Sequence, residues 1–476
     1  MTIFFVRFPS FICVSGFFAT ADNASAGNFG LLDQVQALTF VRENIRAFNG
    51  DPEKITLFGP GSGAASAGLL ALSPLSRRFV KRVIASSGSP VADWAVHKDH
   101  ILIRNNSIVS GYSFGCRTYY TYKLVECLNS RSFADISVSR VKPDVGWLSF
   151  APVPDFATRP RELQFMPVLP EDLLDKGMGI AMLGLDPDFA YLTGVTKDDG
   201  ASILEQDPEF VLRGFNADRK FFDTKIGEYI KIMNATLNPD AFLQALSFMY
   251  LPFTDSTNDT LIRQGIVNMY TDSWFISGVD KMVKLLLKNN IKTYMYVLNY
   301  TIDGLDPPEW RGVAHDSEYF LASGAPFMDP RFYPSGLSLS TARWSEADRN
   351  MSQFFMESWA KFARYGNPTP QALFNTISWK PMTRNTLQYL SVNTTNYTSI
   401  MHRDYRQKEA KFWAEYLPSL TLTAPPIWPP LYEPFEIELR IYRAATWAVG
   451  AALIILLFLT ALCSCLYCRA KRYVLP

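Results

Sequence analysis

A glycine stands where a hydrolytic motif would hold its nucleophile. The residues Gly59-Pro60-Gly61-Ser62-Gly63 have the outer glycines of the pattern Gly-x-Ser-x-Gly, in which a serine hydroxyl sits on a sharp strand-to-helix turn. The central position is Gly61, which has no side chain, and Ser62 lies one residue too late. Glycine also adopts the strained, positive-φ backbone of such a turn at no steric cost. The pattern predicts a turn that persists without its nucleophile.

The flanking residues predict the elements that this turn needs. Apolar residues in 35–48 recur at helical spacing, and the Asn-Gly-Asp-Pro sequence of 49–52 is a typical helix end. Residues 54–58 then predict a short buried strand, and residues 63–72 a helix of small residues. The order of helix, strand, tight turn and helix is the context in which the motif works.

The turn has two other possible interpretations. A dinucleotide-binding fingerprint, G-x-G-x-x-G/A, needs an acidic residue at the end of the next strand. The candidate strand, 80–86, is followed by Ser-Gly-Ser-Pro and has no carboxylate there, which disfavours nucleotide binding. The second interpretation is a structural glycine-rich turn in an unrelated fold.

Several stretches of the chain resemble the carboxylesterase/cholinesterase family. They are Asn28-Phe29-Gly30-Leu31-Leu32-Asp33-Gln34, Ile55-Thr56-Leu57-Phe58-Gly59, Ser87-Gly88-Ser89 and Phe362-Ala363-Arg364-Tyr365-Gly366-Asn367-Pro368. The resemblance covers most of residues 15–420. It implies an α/β fold of the α/β-hydrolase type, with a mixed central sheet and helices on both faces, here lacking its N-terminal part. Residues 14–18 would form one of its strands.

The same resemblance implies the places of a catalytic triad. The acid would be Asp199 and the base His315, with Gly61 at the place of the nucleophile. Without a nucleophile, this pair has no acyl group to carry, so His315 is interpreted as a buried histidine that holds its loop by hydrogen bonds. The family's glycine-rich oxyanion loop has no counterpart upstream of Gly61. We therefore expect no catalytic residue, no enzymatic activity, no metal and no cofactor.

An uncharged segment predicts a membrane span near the C-terminal end. Residues 444–466 carry no charge and would make roughly 34 Å of helix, enough for a hydrocarbon core of about 30 Å. Three basic residues follow the segment within 469–472, against Arg440 and Arg443 before it, which favours a cytoplasmic C-terminus. The predicted plan is an ectodomain over 1–422, a Pro-rich stalk over 423–443, a transmembrane helix over 444–466 and a short tail over 467–476.

Glycosylation sequons support an extracellular ectodomain. Asn-x-Ser/Thr sites precede the uncharged segment and none follows it. The predicted sites are Asn23, Asn105, Asn234, Asn258, Asn299, Asn350, Asn393 and Asn396.

The cysteines divide in the same way. The chain has six, and the family resemblance implies a disulfide between Cys116 and Cys127. Cys463, Cys465 and Cys468 lie at the inner end of the predicted span, where acylation or simple tolerance is favoured over metal binding.

The combination of these features resembles the non-catalytic cholinesterase-like adhesion molecules, gliotactin first and neuroligins next. It implies a plasma-membrane protein, N-terminus outside, that acts at cell junctions in adhesion or septate-junction organisation and binds an extracellular or cell-surface protein. The net charge of +1 gives no reason to expect nucleic acid as a partner. The alternative is a membrane pseudo-esterase that binds a small molecule without turnover, and the third candidate is an esterase that uses Ser62.

Two apolar stripes predict a homodimer through C-terminal helices, as in this family. One comprises Met351, Phe355, Trp359 and Phe362, and the other comprises Phe412, Trp413, Tyr416 and Leu417. The alternative is that both stripes pack on the core of their own domain.

Overall fold

The structure is a computed structural model that describes residues 14–137, 143, 145–235, 237–333, 339, 342–374, 376–393, 401–421 and 434–473. The chain forms two compact units, Met1–Thr423 and Ala424–Pro476.

One sheet forms the centre of the first unit. Its strands in the described residues are β1 (Thr56–Pro60), β2 (Arg82–Ser86), β3 (Ala190–Thr196), β4 (Lys292–Leu298), β5 (Gln388–Val392) and β6 (Met401–Arg403). They lie in the sheet in chain order. The first five strands are parallel and β6 is antiparallel to β5. The predicted α/β class with a mixed central sheet is confirmed.

Helices fill most of the connections between these strands. Their bounds are α1 Val14–Phe17, α2 Phe29–Asn44, α3 Ser62–Leu72, α4 His100–Ser113, α5 Thr121–Asn129, α6 Phe133–Ser137, α7 Pro170–Asp175, α8 Gly179–Leu183, α9 Ala201–Glu205, α10 Pro208–Leu212, α11 Arg219–Ile232, α12 Pro239–Tyr250, α13 Asp259–Tyr270, α14 Ser277–Lys288, α15 Ser317–Ala322, α16 Glu346–Tyr365, α17 Gln407–Lys411, α18 Leu417–Ser419 and α19 Pro434–Tyr473. Two π-helical turns, Thr271–Ile276 and Phe412–Tyr416, join α13 to α14 and α17 to α18. Short 3₁₀ turns lie at Ile45–Phe48, Arg77–Phe79, Arg161–Leu163, Asp303–Leu305, Glu309–Arg311, Ala325–Phe327 and Pro330–Phe332.

The elements around the glycine turn match their predicted order. The predicted helix over 35–48 is α2 followed by the Ile45–Phe48 turn, the predicted strand over 54–58 is β1, and the predicted helix over 63–72 is α3. The expected strand over 14–18 is wrong, because Val14–Phe17 is a short helix. A strand needs a neighbour along its length, and here the chain makes only an isolated bridge between Ala19 and Ala26.

Helices cover both faces of the sheet. Because side chains alternate along a strand, Val83 and Ala85 of β2 face the cluster that contains α3 and α14, whereas Ile84 faces the cluster that contains α16. The helices therefore hold the strands rigidly, with the carboxyl ends of β1, β2 and β3 side by side at one edge. In open parallel sheets this edge is where ligands bind.

The stripe on α16 packs inside its own domain. Met351, Phe355, Trp359 and Phe362 are all buried, and they join the core on the α16 side of the sheet. The prediction that these four residues form a dimer contact is wrong, because the apolar face of α16 is already covered by the sheet. In the second stripe, Phe412, Trp413 and Leu417 are buried in a helical cluster and Tyr416 is 54% exposed.

The second unit contains the apolar C-terminal segment. Within α19, Ala445–Ser464 has a mean hydropathy of 2.3 and is long and apolar enough to cross a membrane. The helix begins at Pro434, so residues 434–443, predicted as part of an extended stalk, are helical. The sequence here explains this, because a proline in the first turn followed by Glu, Leu and Arg residues favours helix formation. Residues 423–433 of the predicted stalk lie outside the described residues.

The disulfide of the first unit is present. Cys116 and Cys127 are bonded across a separation of 11 residues, which confirms the pairing that the family resemblance implies. It ties the end of α4 to α5.

Candidate functional site

Gly61 occupies the apex of the turn between β1 and α3. Its φ is 53° and its ψ is −117°, a backbone conformation that residues with a side chain adopt only under strain. The turn is held by the Gly61 amide, which donates to the carbonyl of Ser86 at 2.8 Å. Gly59 must also be glycine, since a Cβ there would lie 2.3 Å from the carbonyl carbon of Gly63. The backbone thus has the shape of a nucleophile turn while its apex has no side chain.

Asp199 lies just beyond the end of β3 and is fully buried. Its Oδ1 is 2.8 Å from Nδ1 of His315. Its Oδ2 accepts hydrogen bonds from the Ser87 hydroxyl and the Thr196 amide, each at 2.9 Å. Both carboxylate oxygens of Asp199 therefore have hydrogen-bond partners, and the Nδ1 side of the His315 ring is held toward the carboxylate.

The imidazole of His315 lies directly over Gly61. A Cβ built on Gly61 would be 2.8 Å from Nε2 of His315, so the ring occupies space that a serine side chain would need. The same nitrogen lies 3.2 Å from Oδ1 of Asp316. Phe275, from the π-helical turn before α14, stacks on the ring at a centroid distance of 4.6 Å. Both nitrogens of His315 therefore face carboxylates, and one ring face is covered.

The carboxylates around His315 favour its protonated form. Burial acts to lower the pKa of the imidazole, but the hydrogen bond and charge of Asp199, with the charges of Asp316 and Glu318, raise this pKa to about 9. A general base must be unprotonated at the working pH. Near neutral pH this histidine is an imidazolium, suited to hold negative groups in place and unsuited to remove a proton.

Glu318 lies beneath this pair and is completely buried. Its Oε1 accepts a hydrogen bond from the Tyr296 hydroxyl at 2.9 Å. Burial, followed by the charge of Asp199, raises the pKa of Glu318 to about 7. Burial likewise raises the pKa of Asp316. The site is a compact acidic cluster around one imidazolium.

The structure brings Gly61, Asp199 and His315 together, as the family resemblance implied, and adds residues that the sequence reasoning gave no role. Ser87 donates a hydrogen bond to the acid, and Asp316 places a carboxylate oxygen 3.2 Å from the nitrogen that a serine would otherwise engage. The spacing of Asp316 and Glu318 after His315 was a usable signal for the acidic cluster. No sequence signal pointed to Phe275, because it is distant from His315 in the sequence. Among the described residues, no group of three His, Cys, Asp or Glu side chains could hold a metal ion.

The sequons differ in how far their asparagines are exposed. Asn23, Asn258 and Asn393 are exposed, whereas Asn105, Asn234, Asn299 and Asn350 are half-buried. Asn396 lies outside the described residues. Asn258 also caps helix α13, because its side-chain oxygen accepts from the amides of Thr260 and Leu261 at 3.0 and 3.2 Å. The amide nitrogen, which would carry a glycan, is not used by this cap.

Comparison with known proteins supports one family. Residues 12–413 match the model of the Carboxylesterase family. The chain is 28% identical over 423 residues to Neuroligin-3 of Mus musculus, covering 86% of this chain and 47% of the relative. It is 26% identical to the Neuroligin-like protein glit-1 of Caenorhabditis elegans, covering 94% and 61%.

An enzyme is among the similar proteins as well. The chain is 29% identical over 401 residues to the Acetylcholinesterase of Bungarus fasciatus, covering 83% of this chain and 60% of the relative. The chain spans about half the length of the neuroligins that it matches. With the family model matched over most of the chain and the mixed sheet in place, this protein has the α/β-hydrolase fold and belongs to the carboxylesterase family.

Proposed function

We propose that this protein is a catalytically inactive, cholinesterase-like, single-pass cell-surface protein that acts in cell–cell adhesion. Its first unit would bind an extracellular or cell-surface protein, and α19 would anchor it in the plasma membrane with the N-terminus outside. The observation that carries the proposal is the glycine at the apex of the nucleophile turn, with His315 over it as an imidazolium. The similarity to neuroligins supports the adhesive role.

An irreversible serine-hydrolase probe tests the absence of catalysis. Membranes of cells that express the full chain are expected to show no labelled band at its mass, because the position that the probe attacks has no hydroxyl. Ser62 is the nearest alternative nucleophile and is exposed, so Ser62→Ala is the matched control. Labelling that disappears in Ser62→Ala would establish an esterase and contradict the proposal.

Adhesion is tested by mixing two cell populations. Cells that display the full chain are expected to aggregate with cells that display the partner, and equally well when the chain carries His315→Gln. Aggregation that needs an intact His315 would point instead to a ligand held at the former active site.

We further propose that the protein acts at junctions of the gliotactin type. Three stretches that resemble gliotactin support this over a neuroligin role, namely 237–242, 322–329 and 348–352. The second contains Phe327, which is 54% exposed, and is followed by Phe332, which is 72% exposed; these side chains offer a surface to a partner. Imaging of the tagged full chain in polarised epithelium is expected to place it at lateral junctions, and an even distribution over the surface would contradict this.

We also propose that two copies pair through a surface formed by α12 and the C-terminal helical segment of the first unit that packs beside it, and not through the stripe on α16. Phe248 on α12 is 65% exposed and Phe253 just after it is 82% exposed, and their rings contact each other edge to face. Beside them, Met249 and Tyr416 line a shallow groove of about 400 Å³ between α12 and the end of the domain. Exposed aromatic clusters of this kind are typical of protein interfaces.

Co-precipitation of two differently tagged full-length chains tests this pairing. Phe248→Asp with Phe253→Asp is expected to abolish it, because charged side chains would be buried at the contact. The matched control is Phe40→Asp on α2, where the phenylalanine is 63% exposed on another part of the unit. Equal recovery of the Phe248/Phe253 and Phe40 variants with wild-type chains would contradict this surface.

A further inference from the structure

Three of the six cysteines lie within six residues at one end of α19. Cys463 is inside the apolar segment Ala445–Ser464 at its C-terminal edge, and its thiol is unpaired and exposed. Helix α19 continues without a break through Cys465 and Cys468 to Tyr473. At about 1.5 Å per residue, Cys465 and Cys468 lie roughly 1.5 and 6 Å beyond Ser464. If the apolar segment fills the hydrocarbon core, all three are at the boundary between acyl chains and headgroups.

The charges on either side of the segment assign this end to the cytoplasmic face. Arg469, Lys471 and Arg472 follow the cysteines and no acidic residue does, whereas the helix before the segment carries both signs. Basic residues at the end of a span favour the cytoplasmic side, where anionic lipids attract them.

The other cysteine pair indicates the same sidedness. Cys116 and Cys127 form a disulfide, which is typical of an oxidising compartment, while thiols on the cytoplasmic side stay reduced. A cysteine at the inner face of the membrane therefore keeps a reduced thiol, which can act as a nucleophile.

From this placement we infer that Cys463, Cys465 and Cys468 are sites of S-acylation by long-chain fatty acyl groups. The inference rests on the proposed membrane topology. In the reaction, a cysteine sulfur attacks the carbonyl carbon of a long-chain acyl-CoA. The new thioester bond forms as the bond to the CoA sulfur breaks, and the thiol proton ends on the departing CoA thiol. Because a membrane helix already anchors the chain, the added acyl chains are not needed for anchoring. They set the depth of the cytoplasmic end of α19 in the membrane and the kinds of lipid that surround it.

Acyl exchange on the full chain, expressed in animal cells, tests the inference. Free thiols are blocked with N-ethylmaleimide, thioesters are cleaved with neutral hydroxylamine, and the released thiols are tagged with a mass-bearing maleimide. We expect a hydroxylamine-dependent ladder of up to three tags, which loses one step for each of Cys463→Ser, Cys465→Ser and Cys468→Ser and disappears in the triple variant. Ser464→Ala, between the first two cysteines, is the matched control and keeps the full ladder.

Separate measurements report on the topology. Resistance to alkaline extraction shows that the chain is inserted, and the mobility shift on glycan removal shows that its first unit is outside; the triple variant must pass both. An inserted, glycosylated chain whose thiols take up N-ethylmaleimide and yield no hydroxylamine-dependent tag overturns acylation and leaves the proposed adhesion function untouched. A chain that is extracted at alkaline pH overturns the topology and the acylation together.

Discussion

Asp316 lies 3.2 Å from Nε2 of His315, the ring atom that would face a serine at position 61. In a working triad this nitrogen must be free to accept a proton from the nucleophile. Here it faces a carboxylate, and Nδ1 faces Asp199. His315 is thus the centre of a cluster of carboxylates, and these raise its pKa and favour its cationic form.

The charge of His315 predicts a pH dependence of stability. An ordinary histidine has a pKa of 6.5, and in the folded protein this pKa is about 9, so the folded state binds the proton more tightly. This contribution, about 3 kcal/mol, is complete below pH 6.5 and is lost as the pH rises through 9. The free energy of unfolding of the wild-type chain should therefore fall between pH 7 and 9, and much less in His315→Gln.

The window from pH 7 to 9 separates His315 from the other buried groups. Glu318 and Asp272 each have a pKa raised to about 7, chiefly by burial, so the larger part of their effect on the free energy of unfolding falls below this window. Chemical denaturation at both pH values gives the comparison. An equal loss of stability in the wild type and in His315→Gln would show that the imidazolium makes no such contribution.

Gly61→Ser alone is expected to give no ester hydrolysis. The new Cβ would lie 2.8 Å from Nε2 of His315, closer than real contacts allow, so the imidazole must move and its contacts with Asp199 and Asp316 must change. Turnover of a simple chromogenic ester is the measurement, with the parent chain as background. Hydrolysis above that background would show that the remaining residues are sufficient for catalysis.

The buried pair of Asp272 and Arg406 is expected to be important for stability. The guanidinium lies 2.7 Å from the carboxylate, and the Tyr250 hydroxyl donates to the same carboxylate at 2.9 Å. Arg406→Ala leaves a fully buried carboxylate without its cation, at a cost of about 3–5 kcal/mol. Its control is Lys411→Ala, which breaks an exposed pair with Glu415 and should cost less than about 1 kcal/mol. Thermal unfolding of the two variants should differ clearly, and similar midpoints would contradict this ranking.

Asn258 is expected to carry a glycan while capping helix α13. Asn258→Asp removes the glycan and keeps the oxygen that caps the helix, whereas Asn258→Ala removes both and should cost about a further 1 kcal/mol. Both variants should lose one step in gel mobility relative to the wild type, and only Asn258→Ala should show the lost cap in thermal unfolding. Unchanged mobility in both variants would mean that the site is unoccupied.

Local sequence signals predicted the parts of the fold whose cause is local. The glycines indicated a tight turn because no side chain fits at Gly59 and because glycine adopts the backbone of Gly61 without strain. Strand β1 and helix α3 begin within two residues of their predicted starts. The stripe on α16 was harder to interpret. An apolar helix face looks the same in a sequence whether it covers a sheet of its own domain or a second copy.

Contacts between residues that are distant in the sequence could not be predicted from it for a related reason. Phe275, which stacks on His315, lies in a π-helical turn at Thr271–Ile276, far from His315 in the sequence. No short pattern encodes such a turn. The partner of Arg406 was likewise invisible, because 134 residues separate it from Asp272.

The same π-helical turn has a mechanical consequence. Asp272 of this turn forms a buried ion pair with Arg406, and Trp413 donates a hydrogen bond to the Tyr250 hydroxyl at 2.6 Å. These two contacts connect the last helical segment of the domain to its interior. Tension entering from the C-terminal end of this domain would have to shear a buried ion pair and a buried tyrosine–tryptophan bond at once. In the proposed adhesive role the chain would bear such tension, and the load would reach the turn whose Phe275 stacks on His315.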